Sequence, residues 1–195
     1  MITTTQLQIK RLFDFSLAIV LFPIIVLPLT VLLIVAAIDV GHFGWFWQLR
    51  VGQGGKLFYM YKIRTLKAGK HHLGALDLHA SAYGRFLRDT KLDELPQLFN
   101  VLFGSMSFVG PRPDVQGFAD VLTGDDRVIL KVKPGVTGPA TLKYKNEEEI
   151  LAMQSDPESY NRTIIWPDKV EINKKYVYNW SFYLDLNYIL QSLIN

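Results

Sequence analysis

The chain has 195 residues and no cysteine, which excludes disulfide bonds and metal sites built on thiolates. Hydrophobic residues make up 49% of it and charged residues 20%, and the mean hydropathy of +0.15 is high for a purely soluble protein. The net charge of +3 is too small to indicate nucleic-acid binding, although it suits an anionic membrane surface if the basic residues share one side.

An apolar segment near the start of the chain predicts attachment to a membrane. No charged residue lies between Asp14 and Asp39, and the 24 residues in between would reach about 36 Å as a straight helix. The hydrocarbon core of a bilayer is about 30 Å thick, so this segment is long enough to cross it. A cleaved signal peptide does not fit, because the apolar run is too long and no small-residue cleavage site follows it.

Two prolines and the flanking charges bear on whether that helix crosses the membrane. Pro23 and Pro28 lie near its middle, and each removes a backbone donor and crowds the preceding turn. Basic residues lie on both sides of the apolar run, at Lys10, Arg11, Arg50, Lys56, Lys62 and Arg64. Since cytoplasmic flanks collect Lys and Arg, this distribution conflicts with a crossing. The pattern leaves a spanning helix open and favours a re-entrant one, which enters and leaves the membrane on the same face.

The segment after the membrane helix predicts a strand hairpin. Aromatic residues cluster from Gly41 to Gln48, which is typical of a headgroup-layer belt, with core packing as the alternative. A glycine-rich turn then leads into a predicted strand, Lys56 to Tyr61. Lys62 and Arg64 follow on one side of the extended chain, where a solvated strand face is the simplest interpretation. A polar loop is predicted from residue 66 to 80.

Charged residues of both signs surround the sequence KLDELP and predict an anion site. Asp93 and Glu94 open what we interpret as a helix, with Pro96 in its first turn, where a missing N–H is tolerated. A simple helix cap is the alternative interpretation. Guanidinium groups flank the pair along the chain, at Arg85, Arg88 and Arg112. Carboxylates, guanidinium groups and a helix start together predict a phosphate site with a metal.

The remaining segments predict short helices and turns. An amphipathic helical pattern runs from Ser81 to Asn100, and helical spacing returns from Asp114 to Lys131. VKPGVTGPA, Val132 to Ala140, predicts a rigid turn-rich loop. Glu147 to Glu149 predict a solvated helix start rather than a metal site, because consecutive residues point in different directions. The segment from Val170 to Ile194 is too polar to cross a bilayer, so it lies along the membrane or packs on the domain.

Four blocks in chain order carry a family resemblance. They are KRLFDF (Lys10–Phe15), RVGQGGKLFYMYKIRT (Arg50–Thr65), FLRDTKLDELPQLFNVLFGSMSFVGPRP (Phe86–Pro113) and VKPGVTGPA (Val132–Ala140). Together they resemble the bacterial sugar transferases, in the small monotopic form of phosphoglycosyl transferase that acts on polyprenol phosphate.

The resemblance implies an α+β fold that is mostly α, in a single membrane-attached domain. Residues 1–40 would form a re-entrant membrane helix broken at a proline, best matched by Pro23. Residues 41–195 would form the catalytic part, with interfacial amphipathic helices, on the cytoplasmic face of the bacterial inner membrane. Phe22 replaces the serine that is usual before the break, so Pro28 is a second candidate for it. The oligomeric state stays open, with a homo-oligomer among the alternatives.

The resemblance also implies a reaction. A sugar 1-phosphate passes from a UDP-sugar to undecaprenyl phosphate with release of UMP, which initiates glycoconjugate assembly. Asp93 would be the nucleophile, forming a phosphosugar-aspartyl intermediate, and Glu94 would hold Mg²⁺. The substrate phosphates would be bound by the basic residues of the matching blocks, Arg88, Arg112, Lys62 and Arg64. Pro139 to Leu142 depart from the family pattern, so no nucleotide contacts are assigned there.

Two other functions are compatible with these residues. A Mg²⁺-dependent phosphatase or pyrophosphatase acting on lipid phosphates would use Asp93 as nucleophile and water as acceptor. A non-catalytic membrane adaptor in a glycan assembly complex would need only the membrane attachment.

Overall fold

The computed structural model describes residues 1–67 and 79–194. The helices are α1 (Thr4–Val40), α2 (Ala82–Asp89), α3 (Gln97–Phe103), α4 (Pro139–Lys143), α5 (Glu147–Ala152), α6 (Pro157–Tyr160), α7 (Trp166–Tyr178) and α8 (Phe182–Ile194). The strands are β1 (Trp45–Val51), β2 (Leu57–Ile63), β3 (Ser107–Val109) and β4 (Gly135–Thr137). The described residues are mostly helical with a few short strands, which confirms the predicted α+β class. Residues 68–78 of the predicted polar loop lie outside the described residues.

The apolar segment forms one long helix, as predicted. Thr3 caps the start of α1 in a capping box with Gln6, and Gly41 ends it in a left-handed conformation. Its most apolar 18-residue window has a mean hydropathy of 3.0, and 11% of that window is buried, so the helix is long and apolar enough to cross a membrane. The helix continues past Pro23 and Pro28, so neither proline ends it, although each removes one backbone donor. Prolines can kink a helix without ending it.

One face of α1 packs along the rest of the domain. Ala18 is buried in an apolar cluster with residues of α3. Leu29 and Ala36 are buried in a second cluster, against β2 and α2. Gly44 follows the helix and approaches it so closely that a Cβ at this position would lie 2.2 Å from the Leu33 carbonyl oxygen. The opposite face of α1 is apolar and exposed, at Ile19, Val20, Ile24, Leu27, Val31, Ile34 and Ile38.

The predicted hairpin is confirmed. β1 and β2 pair antiparallel, with Trp45 opposite Ile63 and Val51 opposite Leu57. In the aromatic cluster, core packing is confirmed for Trp45, which packs edge-on against Phe99 of α3. Trp47 is 52% exposed, and the headgroup-layer belt stays a prediction.

The predicted helix from Asp114 to Lys131 is wrong. The chain there forms two 3₁₀ turns, Ala119–Val121 and Gly124–Lys131. Gly117 and Gly124 adopt positive φ values of 90° and 57°, which an α-helix does not allow. The segment connects β3 to β4, which pair in parallel.

The C-terminal helices pack on the domain through a buried polar network. The Asp185 carboxylate of α8 is 1% exposed and accepts hydrogen bonds from Lys10 Nζ at 2.5 Å, Tyr176 Oη at 2.7 Å and Trp180 Nε1 at 3.1 Å. Lys10 is itself 4% exposed, so this contact joins the start of α1 to the end of the chain. The other side of α8 remains apolar and exposed, at Tyr183, Leu186, Leu190 and Leu193.

We expect Asp185→Asn to lower the free energy of unfolding by about 3–5 kcal/mol, because it removes the carboxylate that is hydrogen-bonded to the buried Lys10 ammonium. The double variant Lys10→Met with Asp185→Asn should recover most of that loss, since it removes both charges, and the amide oxygen can accept from Trp180 while the amide N–H donates to the Tyr176 hydroxyl. Urea unfolding in detergent measures both. An equal loss in the single and double variants would contradict a buried ion pair.

Candidate active site

The carboxylates Asp93 and Glu94 lie on a short turn between two helices. α2 ends at Asp89, and Lys91 then adopts a left-handed conformation with φ of 57°. A single 3₁₀ turn, Leu92–Glu94, follows, and α3 begins only after Pro96, which occupies its N-cap position. The prediction that the carboxylates open a continuous helix with Pro96 in its first turn is therefore wrong in detail. The left-handed Lys91 also divides the amphipathic pattern that was predicted as one helix from Ser81 to Asn100.

Asn100 fixes the position of that turn against β2. Its side chain is buried, and it accepts a hydrogen bond from Tyr61 N at 3.0 Å and donates one to Tyr59 O at 2.7 Å. The amide thus joins the open edge of β2 to α3 as a backbone group would. Lys62, the next residue of β2, is thereby placed opposite the two carboxylates.

The two carboxylates share a cluster with Lys62 and Arg112. Lys62 Nζ lies 2.9 Å from Glu94 Oε1 and 3.5 Å from Asp93 Oδ2. Arg112 Nη2 donates to Glu94 Oε1 at 2.5 Å, and its Nη1 lies 3.4 Å from Oε2. The Asp93 and Glu94 side chains are 8% and 10% exposed, whereas that of Arg112 is 34% exposed. Arg112 therefore reaches from the buried Glu94 to the surface.

Two glycine-containing motifs combine to hold Arg112. Gly110 N donates to Thr137 O, and Gly135 N donates to Pro111 O, both at 2.9 Å, so the GPRP turn lies directly on the loop around β4. A Cβ at Gly135 would lie 2.1 Å from Gly110 N, and one at Gly138 would lie 2.3 Å from Gly110 O. Only glycine permits this approach of the two backbones. The sequence blocks that end in GPRP and begin with VKPG are one structural unit.

Burial and the neighbouring cations act in opposite directions on the pKa values of the two carboxylates. Burial alone would raise the pKa of Glu94, but Arg112 and Lys62 outweigh it and hold that pKa well below its usual range. Glu94 in turn raises the pKa of Arg112. Burial also raises the pKa of Asp93, and there the opposing effect of Lys62 and the more distant arginines is too weak to reverse it. The two adjacent carboxylates thus differ, with Glu94 firmly ionised and Asp93 less closely paired.

The structure brings together some of the predicted phosphate-binding residues. Lys62 and Arg112 contact the carboxylates directly, and Arg88 is close enough for its charge to lower the pKa of Asp93. Arg64 instead donates to the Phe43 carbonyl at 3.0 Å and lies over the Phe46 ring. Arg85 likewise donates a hydrogen bond to a backbone carbonyl, that of Ala80 just before α2.

Sequence reasoning missed a second group of charges behind Arg112. Arg50 of β1 and Asp114 lie close enough to Arg112 for their charges to interact with it, and Lys169 of α7 donates to both oxygens of Glu147 at 2.7 and 2.6 Å. Burial lowers the pKa of Arg50 and raises that of Asp114. The charge of Asp114 partly offsets the first shift, and the charge of Arg50 partly offsets the second. Arg50 belongs to one of the matching blocks. Glu147 was predicted to be part of a solvated helix start, and the structure instead pairs it with Lys169, which is distant in sequence.

The carboxylate pair fits Mg²⁺ as a site that substrate must complete. In residues 1–67 and 79–194, no group of three or more His, Cys, Asp or Glu side chains is arranged to hold a metal alone. Mg²⁺ is commonly bound by one or two carboxylates together with substrate phosphates. Lys62 and Arg112 both donate to Glu94 Oε1. Oε2 has a longer contact, 3.4 Å from Arg112 Nη1, so it is the oxygen better suited to a metal.

Adjacent carboxylates paired with Lys and Arg thus lie in a domain packed on a helix that is long and apolar enough to cross a membrane. Comparison with known proteins identifies the class of protein. Residues 5–195 match the bacterial sugar transferase family, and the chain belongs to that family.

Similar proteins cover the chain to different extents. The uncharacterised sugar transferase EpsL of Bacillus subtilis (strain 168) is 35% identical over 91% of this chain and 82% of its own length. A UDP-glucose:undecaprenyl-phosphate glucose-1-phosphate transferase of Klebsiella pneumoniae is 34% identical over 74% of this chain, and an undecaprenyl-phosphate galactose phosphotransferase of Salmonella typhimurium is 32% identical over 91%. The matches span only 30% and 38% of the latter two proteins.

Proposed function

We propose that the chain is a phosphoglycosyl transferase that moves a sugar 1-phosphate from a UDP-sugar to undecaprenyl phosphate and releases UMP. The names of the Klebsiella and Salmonella relatives describe transfers of this type. The observation that carries the proposal is the buried Asp93 next to a Glu94 whose charge is taken up by Lys62 and Arg112. Such a transfer would begin the assembly of a bacterial glycoconjugate.

Asp93 is the proposed nucleophile. Its carboxylate oxygen attacks the phosphorus that carries the sugar, the bond from that phosphorus to the UMP oxygen breaks, and UMP leaves. An oxygen of undecaprenyl phosphate then attacks the same phosphorus and displaces Asp93 as a free carboxylate. Two steps let each substrate occupy the site in turn. A carboxylate whose pKa is raised by burial is also a better nucleophile than one held tightly in an ion pair.

The cations of the cluster offset the repulsion between the carboxylates and the substrate. Lys62 and Arg112 contact the carboxylates, and Arg88 is close enough for its charge to act on Asp93, so three basic side chains surround the place where a diphosphate would bind. Arg112 is the partly exposed member and can present guanidinium N–H groups to phosphate oxygens in pairs. Mg²⁺, when bound through Glu94, supplies further positive charge at the same place.

We also propose that residues 1–40 form a re-entrant helix in the cytoplasmic leaflet of the inner membrane, with residues 41–195 on the cytoplasmic side. Lys10 near the start of α1 and Asp39 near its end both bond to the same domain, through Asp185 and Ser81. A spanning helix would place those two ends on opposite sides of a hydrocarbon core of about 30 Å. One face of α1 is buried against the domain along its length, so both ends of the helix stay on the domain. This favours a helix that enters and leaves the membrane on the same face.

Asp93→Asn tests the nucleophile. We expect it to reduce UMP release by at least about 1,000-fold, because an amide lacks the carboxylate oxygen that forms the acyl phosphate. Asp89→Asn, at an exposed carboxylate four residues earlier, is the matched control and should keep full turnover. The assay uses membranes, undecaprenyl phosphate, Mg²⁺ and a set of UDP-sugars. Full turnover by Asp93→Asn would rule out its role.

The covalent intermediate can be sought without an acceptor lipid. A UDP-sugar alone should release at most one UMP per chain and leave a sugar phosphate on the protein, detectable by mass and absent in Asp93→Asn. Continuous UMP release with free sugar phosphate would indicate a hydrolase instead.

Arg112→Gln and Arg64→Gln form a pair that tests phosphate binding. Arg112→Gln should lower kcat/KM by about 2–4 kcal/mol, or roughly 30- to 900-fold, because it removes charge stabilisation at the reacting phosphate. Arg64→Gln should cost less than about tenfold, since Arg64 bonds to Phe43 and Phe46. Equal losses would restore Arg64 as a phosphate ligand. A loss at Arg112 seen only as aggregation would mark it as structural.

The lack of cysteine allows the membrane topology to be tested with single substitutions. Thr5→Cys and His42→Cys lie at exposed positions at either end of α1. A maleimide that cannot cross membranes should label neither in intact spheroplasts and both after permeabilisation. Labelling of one of them in intact spheroplasts would show that α1 spans the membrane.

A further inference from the structure

A second site lies beside the first turns of α1, in a cavity of about 490 Å³. Arg11 and Lys133 line it, and its rim includes Leu12 and Phe15, which are 68% and 41% exposed. The cavity therefore has a basic wall and a rim that continues into the apolar, exposed face of the membrane helix.

Arg11 and Lys133 lie next to each other at the end of α3. A Cβ at Gly104 would be 3.2 Å from both Arg11 Nη2 and Lys133 Nζ, so the two nitrogens are no more than twice that distance apart. Gly104 has φ of +84°, which favours glycine, and no side chain separates the cations. Arg11 is fixed there because it donates to the carbonyls of Val101 at 2.6 Å and Leu102 at 2.8 Å, at the C-terminal end of the helix.

The protein matches only part of the positive charge of this pair. Within the described ranges, neither Arg11 nor Lys133 forms an ion pair with a carboxylate. Lys10, which also lines the cavity, is already neutralised by Asp185. Burial lowers the pKa of Lys133, the Arg11 guanidinium lowers it further, and Asp14 only partly opposes them. One carboxylate, Asp14, also lines the cavity, and because Lys10 is paired with Asp185, the charges of Arg11 and Lys133 together exceed that of Asp14. A cavity with this excess of positive charge is suited to an anion.

This site is separate from the carboxylate pair. Arg11 bonds to the end of α3, whereas Asp93 precedes the start of that helix. Asp93 lies in the 3₁₀ turn before α3, whereas the carbonyls of Val101 and Leu102 lie in the last turn of that helix, so the two sites are at its opposite ends.

We propose that this cavity binds the phosphate of an anionic membrane phospholipid between Arg11 and Lys133. The acyl chains run over Leu12 and Phe15 toward the exposed face of α1, and the phosphate neutralises the two cations. The bound lipid fixes the start of α1 and the end of α3 at the level of the headgroups. The inference does not depend on the proposed reaction, since it concerns binding alone.

The test measures the Tm of the full chain in detergent with lipids of short acyl chain. Dihexanoyl phosphatidylglycerol should raise the Tm of the unchanged chain by about 4 °C at concentrations well above its Kd, and dihexanoyl phosphatidylcholine should raise it less. Lys133→Gln should lose most of the shift caused by phosphatidylglycerol. Lys145→Gln removes the same charge from an exposed lysine between α4 and α5 and should keep the full shift.

Further measurements separate the other interpretations. Without lipid, Lys133→Gln should be as stable as the unchanged chain or more stable, because Lys133 has no carboxylate partner there; a Tm several degrees lower would mark Lys133 as structural and overturn the proposal. Equal lipid shifts in Lys133→Gln and the unchanged chain would also overturn it. A shift that depends on Lys133 with farnesyl phosphate or inorganic phosphate, and not with phosphatidylglycerol, would assign the site to the acceptor lipid or to free phosphate instead.

Discussion

The Glu94 carboxylate lies between two cations that come from distant parts of the chain, Lys62 from β2 and Arg112 from the GPRP turn. Burying a carboxylate is costly unless its charge is paired, and removal of one partner from a buried pair commonly costs 3–5 kcal/mol. The β1–β2 hairpin, α3 and the loops around β3 and β4 must therefore meet at this point. Their meeting also leaves Asp93 buried but only loosely paired, which is the state that the proposed nucleophile requires.

The same elements join the carboxylate site to the long apolar helix. α1 packs on α3 through Ala18 and on β2 and α2 through Leu29 and Ala36, so the elements that hold the carboxylates also hold the membrane helix. The buried contact between Lys10 and Asp185 joins the C-terminal helix to the same assembly. The height of the site relative to the lipid is thus set by packing within one domain, which suits an enzyme whose two substrates come from water and from the membrane.

The protein has two separate groups of basic side chains that differ in their carboxylate partners. The cluster around Asp93 and Glu94 contains carboxylates as well as cations, which suits chemistry on a phosphate. The pair Arg11 and Lys133 lacks a carboxylate ion-pair partner among the described residues, which suits the binding of a phosphate without reaction. α3 separates the two, so its length fixes the distance between them.

Local sequence determined the features that depend on neighbours along the chain. The uncharged run before Asp39 predicted a membrane helix, the glycine-rich turn predicted the hairpin, and the KLDELP block predicted the carboxylate site. Only the tertiary structure decided which cations the carboxylates contact. Lys62 and Arg64 are both basic and were predicted on the same side of the strand, yet Lys62 contacts Glu94 whereas Arg64 donates to the Phe43 carbonyl. It also revealed the left-handed Lys91 and the 3₁₀ turn at Asp93. These features depend on long-range packing, which residue spacing does not encode.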